Sequence, residues 1–405
     1  MDLRDRNILL GVTGGVAAYK ACDLARRLQE QGAQVQAILT HGALHFVTPT
    51  MLQAVTGRPA YVELWDERFD QGMGHITLSR KADALLVAPA SAHFIAKLAH
   101  GLCDDLLSTL AVARPRDRCL LVVAPAMNVE MWEHPATQRN VRCIVDDGVA
   151  VLGPDSGSQA CGEIGAGRML EPLQIVEDLV AALAPKVLAG RRVLITAGPT
   201  FEPIDPVRGI TNLSSGKMGF SIARAAVEAG AQVTLVSGPT ELATPRQVQR
   251  VDVLTAAQMS EAVMARAGQC EVFIAVAAVA DWRVDQTSAV KLKKGDGPPT
   301  LRLVRNPDIL AQVAGLPSPP YCVGFAAETE QVQANARAKL AAKKVPLIVA
   351  NLAQDALGAD HAELMLVDER SAATWPRASK LEQARRLVAE IGARLPVSSQ
   401  GDTRR

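Results

Sequence analysis

The side chains that could do chemistry fall at a few places along the chain. His75 stands in a loop before a half-exposed strand expected at Ile76–Leu78, where it would either exchange a proton near neutral pH or serve as an ordinary surface histidine. Asn128 follows an apolar strand, and its amide suits the orientation of a carboxylate or a flavin edge, although an Asx turn uses the same residue there. Cys161 lies between Ala160 and Gly162 in a glycine-dense loop that keeps a thiol accessible, so it is a candidate acid or nucleophile, or an incidental cysteine. In the second half, Lys291, Lys293 and Lys294 flank a strand-end acid, Asp281, and precede NPDIL (306–310); such a cluster is either a solvated face or a polyphosphate binder. Ser214, Ser215, Lys217 and the backbone amides of their loop could hold a phosphate, and Lys339 and Lys343 share one helical face. His41 and His45 are also four apart, but without a nearby carboxylate pattern no metal site is expected there.

These residues need elements that bring them to common places. Residues 191–236 read as strand, turn, Ala-rich helix and strand, with the first strand at Arg191–Ala197. Residues 7–39 are built the same way: strand Asn7–Leu10, turn GVTGG, helix Val16–Gln31 and strand Gln34–Leu39. Two α/β modules with parallel sheets are therefore expected in tandem, at 1–190 and 191–405, with 184–190 as linker. Further strands are expected at 84–89, after 119, at 272–277 and at 323–329, and a helix at Leu173–Leu183. Thr48–Gln71 reads as a long connection, 151–172 as a loop that covers something, and 398–405 as a disordered tail. The first turn is GxxGG rather than GxGxxG, and the second strand ends in Thr40 rather than an acid. That disfavours a dinucleotide but leaves a small-residue turn at a helix N-terminus, suited to one phosphate as in FMN, or a plain tight turn. The second module's loop is no P-loop, because Met218 stands where a Walker motif needs Ser or Thr.

Composition narrows the function classes. In 405 residues the net charge is +1 and aromatics make up 3%, so neither a broad cationic footprint nor many base-stacking platforms are available for nucleic acid. The 7 cysteines include no CxxC pair and fit a reducing compartment. No apolar run reaches the length of a membrane span, and a cytoplasmic chain without membrane or nucleic-acid partners is expected.

The motifs GVTGGVAAYK, APASA, APAMNVEMW and ACGEIGAGRM, followed by GPTFEPIDPVRGITNLSSGKMG, AAVADWR, KLKK, NPDIL and VGFAAET, run in one order over nearly the whole chain. This closely resembles the family of bifunctional coenzyme A biosynthesis proteins, which join a phosphopantothenoylcysteine decarboxylase to a phosphopantothenate–cysteine ligase. The resemblance implies a flavodoxin-like decarboxylase domain that holds FMN, then a Rossmann-like ligase domain that uses CTP with magnesium. Gly14, Thr40, Ser91 and Asn128 match flavin contacts. His75 matches the catalytic histidine, Asn128 the holder of the substrate carboxylate, and Cys161 the proton donor. Where some relatives read PASANT this chain reads PASAHF, which places His93 and Phe94 where flavin-phosphate contacts are expected. The chemistry implied is oxidation of the cysteine thiol to a thioaldehyde, decarboxylation to an enethiol, and reduction to the aminoethylthiol.

In the second half the resemblance implies activation of 4′-phosphopantothenate as an acyl-cytidylate, then capture by cysteine. Lys291 matches the residue of the first step and Asn212 that of the second. Ala275, Val276, Ala277, Asp281, Lys291, Asn306, Pro307, Asp308, Ile309, Phe325, Lys339 and Lys343 match CTP contacts, and no magnesium ligands are implied by position. The family's assembly implies a homo-oligomer, trimeric through the decarboxylase half and dimeric through the ligase half. A two-domain NAD(P)-dependent oxidoreductase and a non-catalytic regulatory flavoprotein are the competing readings. The first is disfavoured by Thr40 and the missing GxGxxG, the second by His75, Asn128 and Cys161 standing together.

Overall fold

The computed structural model describes residues 2–66, 68, 73–159, 162–293, 300–352, 354 and 358–396. The chain forms two compact units, Met1–Leu183 and Ala184–Arg405.

In the first unit, strands β1 (Asn7–Val12), β2 (Gln34–Leu39), β3 (Ala84–Ala90), β4 (Leu120–Pro125) and β5 (Ala150–Val151) form one parallel sheet in the order β2-β1-β3-β4-β5. This is the flavodoxin-like order, with its switch point between β1 and β3. The central strands are buried along their length, apart from the first residues of β1 and β4, as a sheet covered on both faces requires. Helices α1 (Lys20–Glu30), α2 (Pro49–Thr56) and α8 (Pro172–Leu183) contribute to one apolar cluster. Helices α4 (Ala92–His100), α5 (Leu106–Ala113) and α7 (Pro135–Asp146) contribute to another, and α3 (Gly74–Lys81) and α6 (Val129–Glu133) are the other α-helices among the described residues of this unit.

Several expectations are corrected here. The first helix opens with a 3-10 turn, Val16–Tyr19, before α1. The supposed connection Thr48–Gln71 contains α2, begun by the Thr48 hydroxyl, which accepts from Met51 N, and by Pro49 at the first position. Ile76–Leu78 is not a strand: it lies within α3, which buries Gly74 and Ser79, one helical turn and a residue apart, so alternating hydrophobicity over three residues was too short a signal. The glycine-dense loop is a hairpin of β6 (Asp155–Ser158) and β7 (Ile164–Arg168).

In the second unit, β8 (Arg192–Ala197), β11 (Gln232–Ser237), β12 (Val248–Asp252), β13 (Val272–Ala275), β16 (Tyr321–Glu328) and β17 (Leu347–Leu352) are parallel, in the order β12-β11-β8-β13-β16-β17. Two antiparallel strands, β18 (His361–Val367) and β19 (Ala372–Ser379), extend that edge. Two small ribbons, β9 (Phe201–Pro203) with β10 (Gly209–Thr211) and β14 (Trp282–Val284) with β15 (Leu303–Arg305), occupy loops that follow β8 and β13. Its helices include α9 (Lys217–Glu228), α10 (Ala256–Ala267), α11 (Ile309–Ala314), α12 (Val332–Lys343) and α13 (Lys380–Arg394). The strand expected to run to Ala277 ends at Ala275, and Asp281 stands just before β14.

Residues 184–190, expected as a linker, are packed on the second unit. Leu188 is buried in its core, with Leu188 N donating to Ala229 O at 2.9 Å and Gly190 N to Gly230 O at 3.1 Å. The expected tail, 398–405, lies outside the described residues. Among the described residues no helix is long and apolar enough to cross a membrane.

Helices α9 and α13 are joined by a charged knot at Glu228. Its side chain, 5% exposed, receives Arg385 Nε at 2.6 Å, Arg385 Nη2 at 2.9 Å and Arg224 Nε at 3.0 Å. Glu228→Gln keeps the shape but leaves two guanidiniums without their carboxylate, so urea unfolding of the second unit is expected to show a loss of about 1–3 kcal/mol. A midpoint unchanged from wild type would mean that packing alone holds the two helices.

Candidate active sites

In a parallel sheet every strand delivers its carboxyl end to the same edge, where the following loop meets its neighbours. In the first unit that edge holds Gly14 after β1, Thr40 after β2, Ser91 after β3 and Asn128 after β4, on four consecutive strands of the sheet. Thr13 ties the switch point together: its hydroxyl donates to Pro89 O at 2.8 Å and accepts from Ser91 N at 2.9 Å. Gly14 comes so close to the β2 loop that a Cβ there would lie 2.8 Å from Gly42 O. The Ser91 hydroxyl accepts from Phe94 N at the start of α4. Of the pair expected near a flavin phosphate, His93 is exposed but Phe94 is 2% exposed in the core, so Phe94 is no such contact.

Asn128 caps α6, its Oδ1 accepting from Met131 N at 3.1 Å and its Nδ2 donating to Glu130 Oε2 at 2.7 Å. The Asx-type role considered from the sequence is therefore present in the fold. The β6–β7 hairpin docks on this loop through Gln159, whose Oε1 accepts from Val129 N at 3.0 Å and whose Nε2 donates to Ala166 O at 3.1 Å. Met127 N donates to Gly167 O at 3.0 Å. The sequence reading passed over Gln159, which has no motif of its own. Cys161 lies outside the described residues. His75 is on α3, and its buried Nδ1 has no hydrogen-bond partner among the described residues. A buried polar atom of this kind calls for a partner.

In the second unit a cavity of about 1090 Å³ opens among the loops that follow β8, β13 and β16. It is lined by Asn212, Ala275, Val276, Ala277, Asp281, Asn306, Pro307, Asp308, Ile309, Phe325, Lys339 and Lys343, so distant sequence motifs meet in one place. Lys291 is exposed and is not among the lining residues. Its neighbour Leu292 is clamped, N–H to Asp205 Oδ2 at 3.1 Å and carbonyl to Arg208 Nη2 at 2.8 Å.

Threonines again set the loops. Thr196 Oγ1 accepts from Val276 N and Ala277 N at 3.2 Å each, and Thr200 Oγ1 from Ala280 N at 3.0 Å. Asn212 Nδ2 donates to Ala278 O at 3.0 Å, and Asn306 Nδ2 to Ala280 O at 2.8 Å. Lys339 Nζ donates to Phe325 O at 2.6 Å; burial pushes its ammonium below the usual lysine range, opposed by Glu328 and Asp281. Lys343 pairs with Asp308. The sequence reading missed Lys380, Asn351 and Arg305, all of which line the cavity. Lys380 opens a C-terminal helix, and no local motif ties it to segments some 160 residues earlier.

Comparison with known proteins follows these two halves. Residues 1–184 match the flavoprotein family model, and residues 188–395 match that of the DNA/pantothenate metabolism flavoprotein C-terminal domain. The coenzyme A biosynthesis bifunctional protein CoaBC of Vibrio cholerae is 50% identical over 353 residues, covering 86% of this chain and 88% of its own. That of Escherichia coli K12 is 50% identical over 357 residues, covering 87% of each chain. That of Bacillus subtilis is 44% identical over 353 residues, covering 86% of each. Among solved structures, the C-terminal domain of a coenzyme A biosynthesis bifunctional protein CoaBC is 39% identical and covers 51% of this chain and 97% of its own, with a TM-score of 0.45. The FMN-dependent cysteine decarboxylase SpaF is 30% identical and covers 45% of this chain and 99% of its own, with a TM-score of 0.38. With both halves matched in order, and 50% identity to relatives over 86–87% of the chain, the chain belongs to the family of coenzyme A biosynthesis bifunctional proteins.

Proposed function

We propose that the chain catalyses two consecutive steps of coenzyme A biosynthesis: CTP-dependent joining of 4′-phosphopantothenate to cysteine in residues 191–405, and FMN-dependent decarboxylation of the phosphopantothenoylcysteine in residues 1–190. The relatives carry the names of bifunctional enzymes rather than of NAD(P)-dependent oxidoreductases. For the ligase, the observation that carries the reading is the cavity, where Asn212, Asp281, Asn306 and Phe325 converge from four separated segments with Lys217, Lys339, Lys343 and Lys380 among the lining. Magnesium would arrive with the triphosphate, held mainly by phosphate oxygens and water, since no three His, Cys, Asp or Glu residues cluster to hold a metal among the described residues.

The carboxylate of 4′-phosphopantothenate is a poor acyl donor. Its oxygen attacks the α-phosphorus of CTP, the α–β anhydride breaks, and pyrophosphate leaves; cysteine's amine then displaces CMP. Lys291 supplies positive charge in the first step, and its ammonium must reach the α-phosphate from outside the cavity lining. Asn212, already turned to the Ala278 carbonyl at the cavity wall, orients the mixed anhydride for the second.

For the decarboxylase, the edge formed by Gly14, Thr40, Ser91 and Asn128 suits a flavin with one phosphate, and the buried Nδ1 of His75, without a partner among the described residues, offers a polar group to it. A bound FMN would accept two electrons from the cysteinyl thiol side and return them after CO2 has left, making the loss of the carboxylate possible without net oxidation. Asn128 holds the substrate carboxylate by its amide, His75 exchanges the proton of the thiol side, and Cys161 protonates the enethiol carbon. A cytoplasmic homo-oligomer completes the proposal. It would cover apolar side chains that a monomer leaves in water, among them Trp65 and Ile164 in the first unit and Leu213 and Val290 in the second.

The visible spectrum of purified full-length protein, and pyrophosphate release from CTP dependent on 4′-phosphopantothenate, test the two halves independently. Lys291→Gln removes the charge but keeps hydrogen bonding, so acyl-cytidylate formation and pyrophosphate release should fall about 10²- to 10³-fold. Asn212→Asp should activate the substrate yet fail at capture, so the acyl-cytidylate accumulates and is detected by mass spectrometry. Equal loss of pyrophosphate release in both variants would refute this division of roles. Cys161→Ser should still release CO2 but stall before the final reduction, with an oxidised enethiol product accumulating; full turnover would remove the thiol from the mechanism.

A further inference from the structure

The amide assigned to the substrate carboxylate is already engaged within the protein. Asn128 can offer a carboxylate only its Nδ2, because Oδ1 is an acceptor and is held by Met131 N at 3.1 Å. Turning the amide over would uncap α6. Nδ2 in turn donates to Glu130 Oε2 at 2.7 Å, so a carboxylate of the chain occupies one of the two N–H groups open to the substrate.

Backbone contacts on both sides keep this arrangement in place. Met127 N donates to Gly167 O, Val129 N to Gln159 Oε1 and Trp132 N to Asn128 O, each at 3.0 Å. With the loop held, Glu130 leaves the amide by rotating its own side chain. That side chain is exposed, and among the described residues no cation is paired with it, so its charge stands without a local counterion. An acid in the first turn of a helix suits the peptide dipole, and α6 accounts for the sign of the charge at this position. A dipole role needs only closeness to the turn; the bond to Asn128 Nδ2 is additional.

We propose that Glu130 occupies the Asn128 amide as a stand-in for the substrate carboxylate and thereby weakens the binding of phosphopantothenoylcysteine. The inference rests on the decarboxylase reading above and adds to it a residue that sets substrate affinity without entering the chemistry. Two carboxylate oxygens on the two N–H groups of one amide nitrogen lie about 5 Å apart, and two negative charges at that separation repel. If the substrate instead displaces Glu130, the hydrogen bond it gains replaces one that is lost. In both cases part of the carboxylate's contribution to binding is cancelled, and a ligand without the carboxylate escapes the effect. Glu133, exposed at the other end of α6, carries the same charge and provides the control.

The test titrates full-length protein calorimetrically with two ligands that differ only in the carboxylate: phosphopantothenoylserine, whose hydroxyl replaces the reacting thiol, and phosphopantothenoylethanolamine. Glu130→Gln should bind the first about 3- to 10-fold more tightly and the second as wild type does, and KM for phosphopantothenoylcysteine should fall in parallel. Glu133→Gln should match wild type with both ligands. Glu130→Ala, which leaves nothing on Nδ2, should shift affinity in the same direction, and it decides if the glutamine variant does not fold. An affinity for phosphopantothenoylserine that is unchanged or weaker in folded Glu130→Gln overturns the proposal; weaker binding would mean that Glu130 orients Asn128 for the substrate. An equal shift for the two ligands also overturns it, as does an equal effect of Glu133→Gln, since these report loop rearrangement or charge at a distance rather than competition for one amide. A wild type with neither a flavin spectrum nor CO2 release would instead refute the decarboxylase reading itself.

Discussion

A buried threonine hydroxyl at the carboxyl end of the first strand organises each unit. Thr13 and Thr196 are both 2% exposed, and each accepts from backbone amides of the loop on the neighbouring strand across the switch point: Ser91 in one case, Val276 and Ala277 in the other. Parallel strands diverge where their loops leave the sheet, so amides at that point lose their ladder partners just where a crevice opens. A hydroxyl supplies the missing acceptor without filling the crevice. Leaving such a buried amide unpaired costs about 1–3 kcal/mol, enough to let the loop adopt other paths. The two binding edges depend on this one contact for their shape.

What is built on that edge differs between the units. In the first, a hairpin is brought over the Asn128 loop by Gln159, which bonds to backbone on both sides of the contact. The hairpin's base is charged: Glu171 accepts from Lys20 and from Arg168, at 2.8 and 2.7 Å. Lys20 side-chain exposure is 10%, so its ammonium is held largely out of water while Glu171 remains half exposed. Surface pairs of this kind contribute little, but one with a buried lysine fixes direction, and here it anchors the end of β7 to α1.

In the second unit the edge is deepened into a cavity by two short ribbons and by the antiparallel β18–β19 pair. Asp205 is central to the first ribbon. Its buried carboxylate accepts from Val207 N, Arg208 N, the Arg208 guanidinium and Leu292 N, and the guanidinium hydrogen bond holds it well below the usual carboxylate range. Because Leu292 is the residue after Lys291, this cluster locates the start of the lysine run relative to Asn212, four residues beyond Arg208.

The two α/β modules and most strand positions were legible in the residues alone, because buried parallel strands are unbroken apolar runs and their loops begin with small residues. The residues also carried the motifs that belong to the family, since local order survives as residue identity. Gln34–Leu39 and Leu173–Leu183 were legible within a residue for that reason. Three-dimensional packing was needed to show that Ile76–Leu78 is helical, that 184–190 lies on the second unit with Leu188 in its core, and that Phe94 faces inward. In each case the deciding contact is with residues distant in sequence, and a short apolar stretch is compatible with either outcome until those contacts form. The same holds for the cavity: Lys380 and Lys217 stand 163 positions apart, and nothing in the residues between them specifies that two helix N-termini will face one space.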